Sequence, residues 1–200
     1  MAPRSKDQFK DIRKASTENI VQAAMQLFST RGYLSVSVKD IARAAGVSQG
    51  LMYNYFKSKE KLLVYIIDLM IAEMNDLMMT AKMADEPGEQ LKVIIRSPFD
   101  MLRKKQEFWK MILPIITQQS VNLKIRKQLS GLFQGAVLQL EEIFRALKVP
   151  KAKQEAYKLG AILDGIGWHY LFVFFDDYPL DEMERKLLRD YEHLIDSKKR

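Results

Sequence analysis

The sequence predicts an all-α fold, because apolar residues recur at helical spacing along almost the whole chain and no segment shows the alternating pattern of a strand. Residues 20–28 carry the helical pattern at positions i, i+3, i+4, i+7 and i+8. Gly32 follows where a glycine often closes a helix in a left-handed cap. The first helix is therefore expected to end near Thr30 or Arg31.

Three helix starts are expected in quick succession after this cap, and the first two helices are short. Ser37 stands three residues before Asp40, which is a Ser-x-x-acid signal for a helix start, and Gly46 is expected to end that helix. Ser48 and Ser58 stand in the same capping position before two further helical patterns. Helices this short are not stable alone, so we expect them to pack as one small unit.

Long helices are expected from Ser58 onwards, with the clearest loop at residues 85–88. After that loop the predicted helices span residues 89–104, 107–118, 122–147, 151–175 and 180–197, separated by turns at 149–150 and 176–179. Pro98 and Pro114 fall inside two of these ranges, where each either kinks its helix or begins a new one.

The positive charge is concentrated in the first third of the chain. The net charge is +7, and residues 1–61 hold 11 Lys or Arg against 5 Asp or Glu. A basic segment on a near-neutral body indicates an anionic partner such as nucleic acid, although a solvated basic face produces the same count. We therefore place a domain boundary after Lys61, between a basic N-terminal domain, residues 1–61, and a larger helical domain, residues 62–200.

Several classes of function are excluded or disfavoured by composition. The chain has no cysteine, and its two histidines, His169 and His193, lie 24 residues apart, so we expect no disulfide, no metal site and no cofactor. It contains no nucleophile elbow and no glycine-rich phosphate loop, so we do not expect an enzyme. No apolar run is long enough to span a bilayer, and the N-terminus has no apolar leader, so we expect a cytoplasmic protein without membrane association.

Residues 38–56, VKDIARAAGVSQGLMYNYF, fit a helix-turn-helix, with a tight turn at Gly46 and Val47. Such a motif presents its second helix, here residues 48–55, to the major groove of DNA. The accessible amides and hydroxyls of that helix can bind base edges or phosphate oxygens, and Lys57 and Lys59 just beyond it supply positive charge.

The stretch from Thr17 to Leu63 closely resembles the N-terminal DNA-binding domain of the TetR family of bacterial transcriptional regulators. The phrase AGVSQGLMYNYF, followed by KSKEKLL, carries most of the resemblance, with LF-x-x-x-GY at residues 27–33 and DIARAAG beside it. Met52 stands where leucine is usual, which is a mild departure. The rest of the chain resembles the family in plan only: total length, helical content, and two C-terminal helices suited to dimerisation.

This resemblance implies that Gln49, Gly50 and Leu51 face base edges, that Tyr53 and Tyr55 reach phosphates or bases, and that Lys59 grips the DNA backbone. Thr17 and Arg43 are each compatible with a phosphate contact. Either residue could instead simply be a helix cap or a solvated charge. The predicted DNA-binding residues are Thr17, Ser37, Arg43, Ser48, Gln49, Gly50, Leu51, Tyr53, Asn54, Tyr55, Lys57 and Lys59.

The resemblance also implies a small-molecule site among the body helices. The predicted ligand-binding residues are Met78, Phe99, Phe108, Trp109, Ile112, Phe133, Trp168 and Phe172, and their lack of positive charge favours a largely apolar ligand. Any one of them is also compatible with an ordinary helical core. Residues 159–175 are apolar on nearly every side and, with the helix after Pro179, are suited to a two-fold dimer interface. Asp164 and His169 either lie inside that interface or touch the ligand.

The sequence therefore predicts a homodimeric TetR-like regulator of transcription, most simply a repressor released from palindromic double-stranded DNA by a small apolar ligand. The alternative is a helical protein-interaction module whose basic segment is incidental, and such a module would show no sequence preference on DNA.

Overall fold

The computed structural model describes residues 6–117 and 123–196, and every regular element in these ranges is helical. The α-helices are α1 (Lys6–Arg31), α2 (Val38–Ala44), α3 (Gln49–Tyr55), α4 (Lys59–Lys82), α5 (Pro87–Lys104), α6 (Gln106–Thr117), α7 (Leu123–Ala146), α8 (Ala152–Trp168), α9 (Leu180–Asp190) and α10 (Glu192–Ile195). The predicted all-α class is confirmed. The helix limits expected at residues 118, 122 and 197 lie outside the described residues.

The helix boundaries of the N-terminal region follow local capping signals. Gly32 has a φ of +79°, and its N–H donates to the carbonyl oxygen of Phe28 at 3.0 Å, so α1 ends at Arg31 as expected. The Ser58 hydroxyl accepts a hydrogen bond from the backbone N–H of Lys61 at 3.1 Å and thereby caps the start of α4. Both predicted caps are confirmed.

The described chain divides into two compact units. The first takes in the chain up to Met70 together with the segment that begins at Glu107. Burying one large apolar side chain stabilises a fold by about 1.5–3 kcal/mol, which offsets the low intrinsic stability of helices as short as α2 and α3. In the segment up to Met70, the fully buried side chains include Ile20, Phe28, Ile41, Met52, Leu62, Leu63, Ile66 and Ile67.

The second unit takes in residues Ile71–Gln106 and the chain from Leu123 onwards, and α7 packs against α5 and α8 within it. Its buried side chains include Leu91, Ile95, Phe99, Phe144 and Leu159. Arg103 of α5 joins α9 to this core, because its guanidinium lies 2.6 Å from a carboxylate oxygen of Asp181 and 2.6 Å from one of Glu184.

The loop expected at residues 85–88 is shorter than predicted, because α5 already begins at Pro87. Proline suits the first helical position, where its missing N–H and its constrained φ carry no cost. Gly88 is consequently helical and buried, and a Cβ there would lie 2.9 Å from the carbonyl oxygen of Leu194 and closer still to that of Ile195. The glycine lets the C-terminal turn approach the backbone of α5.

The two C-terminal helices are more broken than the sequence predicts. α8 ends at Trp168 and continues as a π-helical turn, His169–Val173, and a 3-10 turn, Phe175–Asp177, instead of one helix to residue 175. The last predicted helix divides at Tyr191, whose buried ring lies 5.9 Å from that of Phe144 and whose hydroxyl donates to Glu155 at 2.6 Å. At Tyr191 these tertiary contacts override the local helical pattern.

Pro98 and Pro114 both lie inside helices, in α5 and α6. The alternative that each begins a new helix is therefore wrong. Over the ranges the structure describes, no helix combines the length and the apolar character needed to cross a bilayer.

Candidate nucleic-acid interface

Helices α2 and α3 are joined by the tight turn that the sequence predicts. Gly46 has a φ of +67°, a left-handed conformation that glycine adopts without steric cost. The N–H of Val47 donates to the carbonyl oxygen of Ala42 at 3.0 Å, which closes the end of α2. The Ser48 hydroxyl accepts from the N–H of Leu51 at 3.1 Å and caps α3. The helix-turn-helix is thus built from short-range hydrogen bonds.

One face of α3 is buried and the other is open to solvent. Met52 is fully buried, and Phe56 directly after the helix is buried too. Tyr53 is 42% exposed. The open face carries the side chains of Ser48, Gln49, Leu51, Tyr53 and Asn54. Their hydroxyl and amide groups supply both donors and acceptors for hydrogen bonds with DNA.

Gly50 lies on this open face in an ordinary helical conformation. A Cβ at this position would meet no atom within 4 Å. Packing within the described protein therefore gives no reason for a glycine, although alanine would favour the helix by about 1 kcal/mol. A glycine here allows another molecule to approach the backbone of α3 closely.

The N-terminus of α2 has a complete capping box. The backbone N–H of Asp40 donates to the Ser37 hydroxyl at 3.2 Å, and the N–H of Ser37 donates to the Asp40 carboxylate at 3.1 Å. Hydrogen bonds from the side chain and backbone of Ser37 hold the pKa of Asp40 below its usual value. Arg43 lies 3.1 Å from the same carboxylate, but its side chain is 73% exposed, so this surface ion pair leaves it accessible to a phosphate.

Lys59 has a different environment from the one the sequence suggests. Its ammonium donates to the carbonyl oxygens of Tyr33 and Val36, each at 2.7 Å, and to that of Leu34 at 3.3 Å. Burial lowers the pKa of Lys59. The ammonium is hydrogen-bonded within the domain, whereas Lys57 is exposed. Contact between Lys59 and DNA stays a prediction.

Thr17 is not a helix cap, because α1 runs without interruption from Lys6 through this position. Its hydroxyl donates to the carbonyl oxygen of Arg13 at 2.9 Å. Arg13 was not among the predicted site residues, yet its guanidinium carbon lies 5.7 Å from the centre of the Tyr55 ring at the end of α3. The sequence offers one signal for it: Arg13 precedes the buried Ile20 by seven residues and therefore lies on the same face of α1.

The predicted ligand-binding residues are divided between the two compact units. Phe108, Trp109 and Ile112 belong to the first, and Met78, Phe99, Phe133, Trp168 and Phe172 belong to the second. Phe99, Phe108 and Ile112 are fully buried, whereas Trp168 is 48% exposed. The buried Nε1–H of Trp109 has no hydrogen-bond acceptor among the described residues.

The second unit also contains two surface clefts, and none of the eight predicted residues lines either of them. The cleft between α4 and α5 has a volume of about 470 Å³ and is lined by charges of both signs, among them Glu73, Asp76, Arg96 and Lys104. The other, of about 610 Å³, lies between the end of α7, α8 and the C-terminal helices.

The segment predicted to form a dimer interface exposes large apolar side chains. Trp168, Val173, Phe174 and Phe175 are each about half exposed or more, and Phe175 reaches 60%. Asp164 lies one helical turn before Trp168 and is accessible, yet neighbouring groups desolvate its carboxyl group enough to raise its pKa. Several large exposed apolar side chains within one short segment commonly mark a protein–protein contact.

A capped two-helix motif whose second helix exposes a polar face, within a basic segment, defines a DNA-binding protein of the helix-turn-helix class. The sequence profile described as "Bacterial regulatory proteins, tetR family" matches residues 20–66. Over 153 residues the chain is 30% identical to the HTH-type transcriptional regulator BetI of Brucella abortus, covering 74% of this chain and 75% of that protein. The chain belongs to the TetR family of transcriptional regulators, and it is a DNA-binding regulator of transcription.

Solved structures of similar fold extend the likeness to about nine tenths of the chain. The transcriptional regulator FadR from Bacillus subtilis, in complex with stearoyl-CoA, aligns with a TM-score of 0.70 and 20% identity over 90% of this chain and 97% of its own. A putative transcriptional regulator from Saccharomonospora viridis, in complex with choline, has a TM-score of 0.70 and 22% identity over 88% and 95% of the two chains. At such identities the likeness establishes the fold alone.

Proposed function

We propose that this protein is a repressor that binds a palindromic operator as a homodimer and leaves it when a small, largely apolar ligand binds. Residues 1–61 act as the DNA-binding domain, and residues 62–200 bind the ligand and form the dimer. These two domains are defined by their proposed functions, so their boundary differs from that of the two compact units, which are defined by packing. The protein acts on DNA in the cytoplasm and catalyses no reaction.

The open face of α3 is the observation that carries the DNA-binding part of the proposal. Gln49 and Asn54 bring amide groups to the base edges, and Tyr53 brings a hydroxyl to a phosphate or a base. Gly50, which has no side chain, and the neighbouring Leu51 allow the start of α3 to lie close to the base edges in the major groove. Arg43 and Lys57, both exposed, bind phosphates on either side.

Two-fold symmetry follows from the half-site geometry of helix-turn-helix proteins, in which each subunit reads one half of an inverted repeat. The exposed apolar side chains of residues 168–175 support a homodimer, because a second copy would remove them from water. Trp168→Glu should therefore yield monomers in sedimentation velocity at micromolar concentration. Leu138→Glu, at an exposed leucine of α7, is the matched control and should leave the dimer intact.

The proposal of ligand control rests on the apolar residues predicted to line a site in residues 62–200 and on the environment of Trp109. The predicted lining is aromatic and aliphatic, and the unpartnered Nε1–H of Trp109 favours an apolar ligand that carries one hydrogen-bond acceptor. The structural neighbours were solved with stearoyl-CoA and with choline, two very different ligands. The fold alone therefore does not select the effector.

Selection from a random pool of DNA duplexes by the purified protein tests the DNA-binding part. Enrichment of an inverted repeat is expected, and Gln49→Ala should relax the preference at one base-pair position per half-site at a cost of about 1–3 kcal/mol. Retention of duplexes without any preferred sequence would favour the interaction-module alternative. With the selected operator as probe, apolar compounds that raise the melting temperature should also release the DNA.

A further inference from the structure

Helix α1 begins well before the residues that the family profile matches. The family profile starts at residue 20, whereas α1 begins at Lys6. The intervening turns of α1 extend the helix by about 20 Å at 1.5 Å per residue. Arg13 lies on this extension, at the register position that shares a face with the buried Ile20.

Arg13 contacts the recognition helix through an aromatic ring. Its guanidinium carbon lies 5.7 Å from the ring centre of Tyr55, the last residue of α3. A cation–π contact is made with the face of the ring and does not use the N–H donors of the guanidinium as hydrogen bonds to the ring atoms, so these donors remain available for another partner. The ring thus restricts the Arg13 side chain without using its hydrogen-bonding capacity.

Of the other cations discussed at this surface, Lys57 is exposed like Arg13, whereas Arg43 and Lys59 already have partners within the protein. Arg43 pairs with Asp40, and the Lys59 ammonium is bound to backbone carbonyl oxygens. Among the side chains that the structure describes, no carboxylate pairs with Arg13, and the residue is exposed. Its free donors point to an anionic partner, and a phosphate accepts two parallel N–H bonds from one guanidinium.

We propose that Arg13, held in place by the ring of Tyr55, binds a backbone phosphate of the operator outside the contacts of the helix-turn-helix itself. This inference rests on the proposed DNA-binding function. Each half-site gains one phosphate contact from a segment that lies outside the residues matched by the family profile. The contact adds affinity without sequence preference, because a phosphate carries no base identity.

The salt dependence of operator binding measures this contact. A dimer that loses one phosphate contact per subunit should show a slope of log K against log salt that is smaller by about 2, at roughly 0.9 per phosphate. Arg13→Gln should produce this change and Arg13→Lys, which keeps the charge, should largely preserve the wild-type slope. Lys153→Gln removes the same charge at an exposed position of the second unit and should leave the slope unchanged.

A double-mutant cycle tests the part played by the ring. Tyr55→Phe keeps the ring, so Arg13→Gln should reduce affinity in that background as it does in the wild type. Tyr55→Leu removes the ring, so Arg13→Gln should then cost less. Ethylation of operator phosphates provides a direct second readout, since one interfering phosphate per half-site should be lost with Arg13→Gln.

The outcomes separate this inference from the proposed function. A wild-type protein with no affinity for DNA would overturn both. A wild-type protein that selects an inverted repeat, with an Arg13→Gln variant of unchanged slope and an unchanged ethylation pattern, would overturn the Arg13 contact alone. Equal effects of Arg13→Gln in the Tyr55→Phe and Tyr55→Leu backgrounds would overturn the positioning by Tyr55.

Discussion

The ammonium of Lys59 donates a hydrogen bond to the carbonyl oxygen of Tyr33 at 2.7 Å and lies 4.5 Å from the centre of the same residue's ring. Together with its bonds to Leu34 and Val36, this ties the start of α4 to the segment between α1 and α2. A residue that the family resemblance implies as a DNA contact thus also holds the DNA-binding segment together.

Replacing Lys59 by Met should lower the free energy of unfolding by about 1–3 kcal/mol, because two partly buried carbonyl oxygens lose a charged donor. Urea denaturation measures this loss. Lys57→Met is the control, since Lys57 is exposed and its replacement should leave the unfolding midpoint unchanged. If Lys59→Met unfolds at the wild-type midpoint while operator affinity falls, the principal role of Lys59 is DNA binding.

Gly50→Ala should separate DNA affinity from stability. The added methyl group meets no atom within 4 Å and favours the helix, so the variant should be as stable as the wild type or more stable by up to about 1 kcal/mol. Operator affinity should nevertheless fall, because the methyl group occupies the space between α3 and the groove. Gly135→Ala in α7 makes the same change with equally open surroundings and should leave DNA binding intact. Wild-type affinity of Gly50→Ala would argue against close approach at this position.

Gly88→Ala should have the opposite effect on stability. Its Cβ would overlap the carbonyl oxygens of Leu194 and Ile195, which are backbone atoms and cannot move aside singly. We expect a loss of about 1–3 kcal/mol in the free energy of unfolding, measured by urea or thermal denaturation. Gly135→Ala again serves as the control for helix propensity. A variant as stable as the wild type would show that the C-terminal turn is displaced at little cost.

The capping box of α2 should make the DNA-binding segment sensitive to acid. The hydrogen bonds from Ser37 lower the pKa of Asp40 in the folded state, so the charged carboxylate stabilises the fold above the unfolded pKa of about 4. This contribution is lost as the pH falls through the lower, folded pKa. Asp40→Asn should therefore unfold at a lower urea concentration than the wild type at pH 7. The difference between the two midpoints should shrink in acid, and a constant difference would contradict the assignment.

The local signals of the N-terminal region were predictable because they act over a few residues. The serine caps and the left-handed glycines at positions 32 and 46 are determined by hydrogen bonds within one turn of the chain, so the sequence alone locates them. The alternation of the buried Met52 and the exposed Tyr53 on α3 reflects helical periodicity, which is likewise a local property.

The C-terminal helices were less predictable because distant contacts determine where they break. Tyr191 ends α9 through its ring contact with Phe144 and its hydrogen bond to Glu155, residues 47 and 36 positions away. The carbonyl acceptors of Lys59 lie 23 to 26 residues before it, and the ring that Arg13 contacts lies on a different helix. The residue pattern within one segment does not indicate which distant residues that segment will contact.

The sequence by itself therefore determined the all-α class, the helix-turn-helix and the resemblance that the comparisons bear out, because periodicity, caps and a contiguous motif are local properties. Only the tertiary structure decided that the Lys59 ammonium is bound within its own domain, that Arg13 reaches the ring of Tyr55, and that Gly88 is packed against the C-terminal turn. Those relationships depend on which helices are brought together in space, and hydrophobic burial over the whole chain decides that.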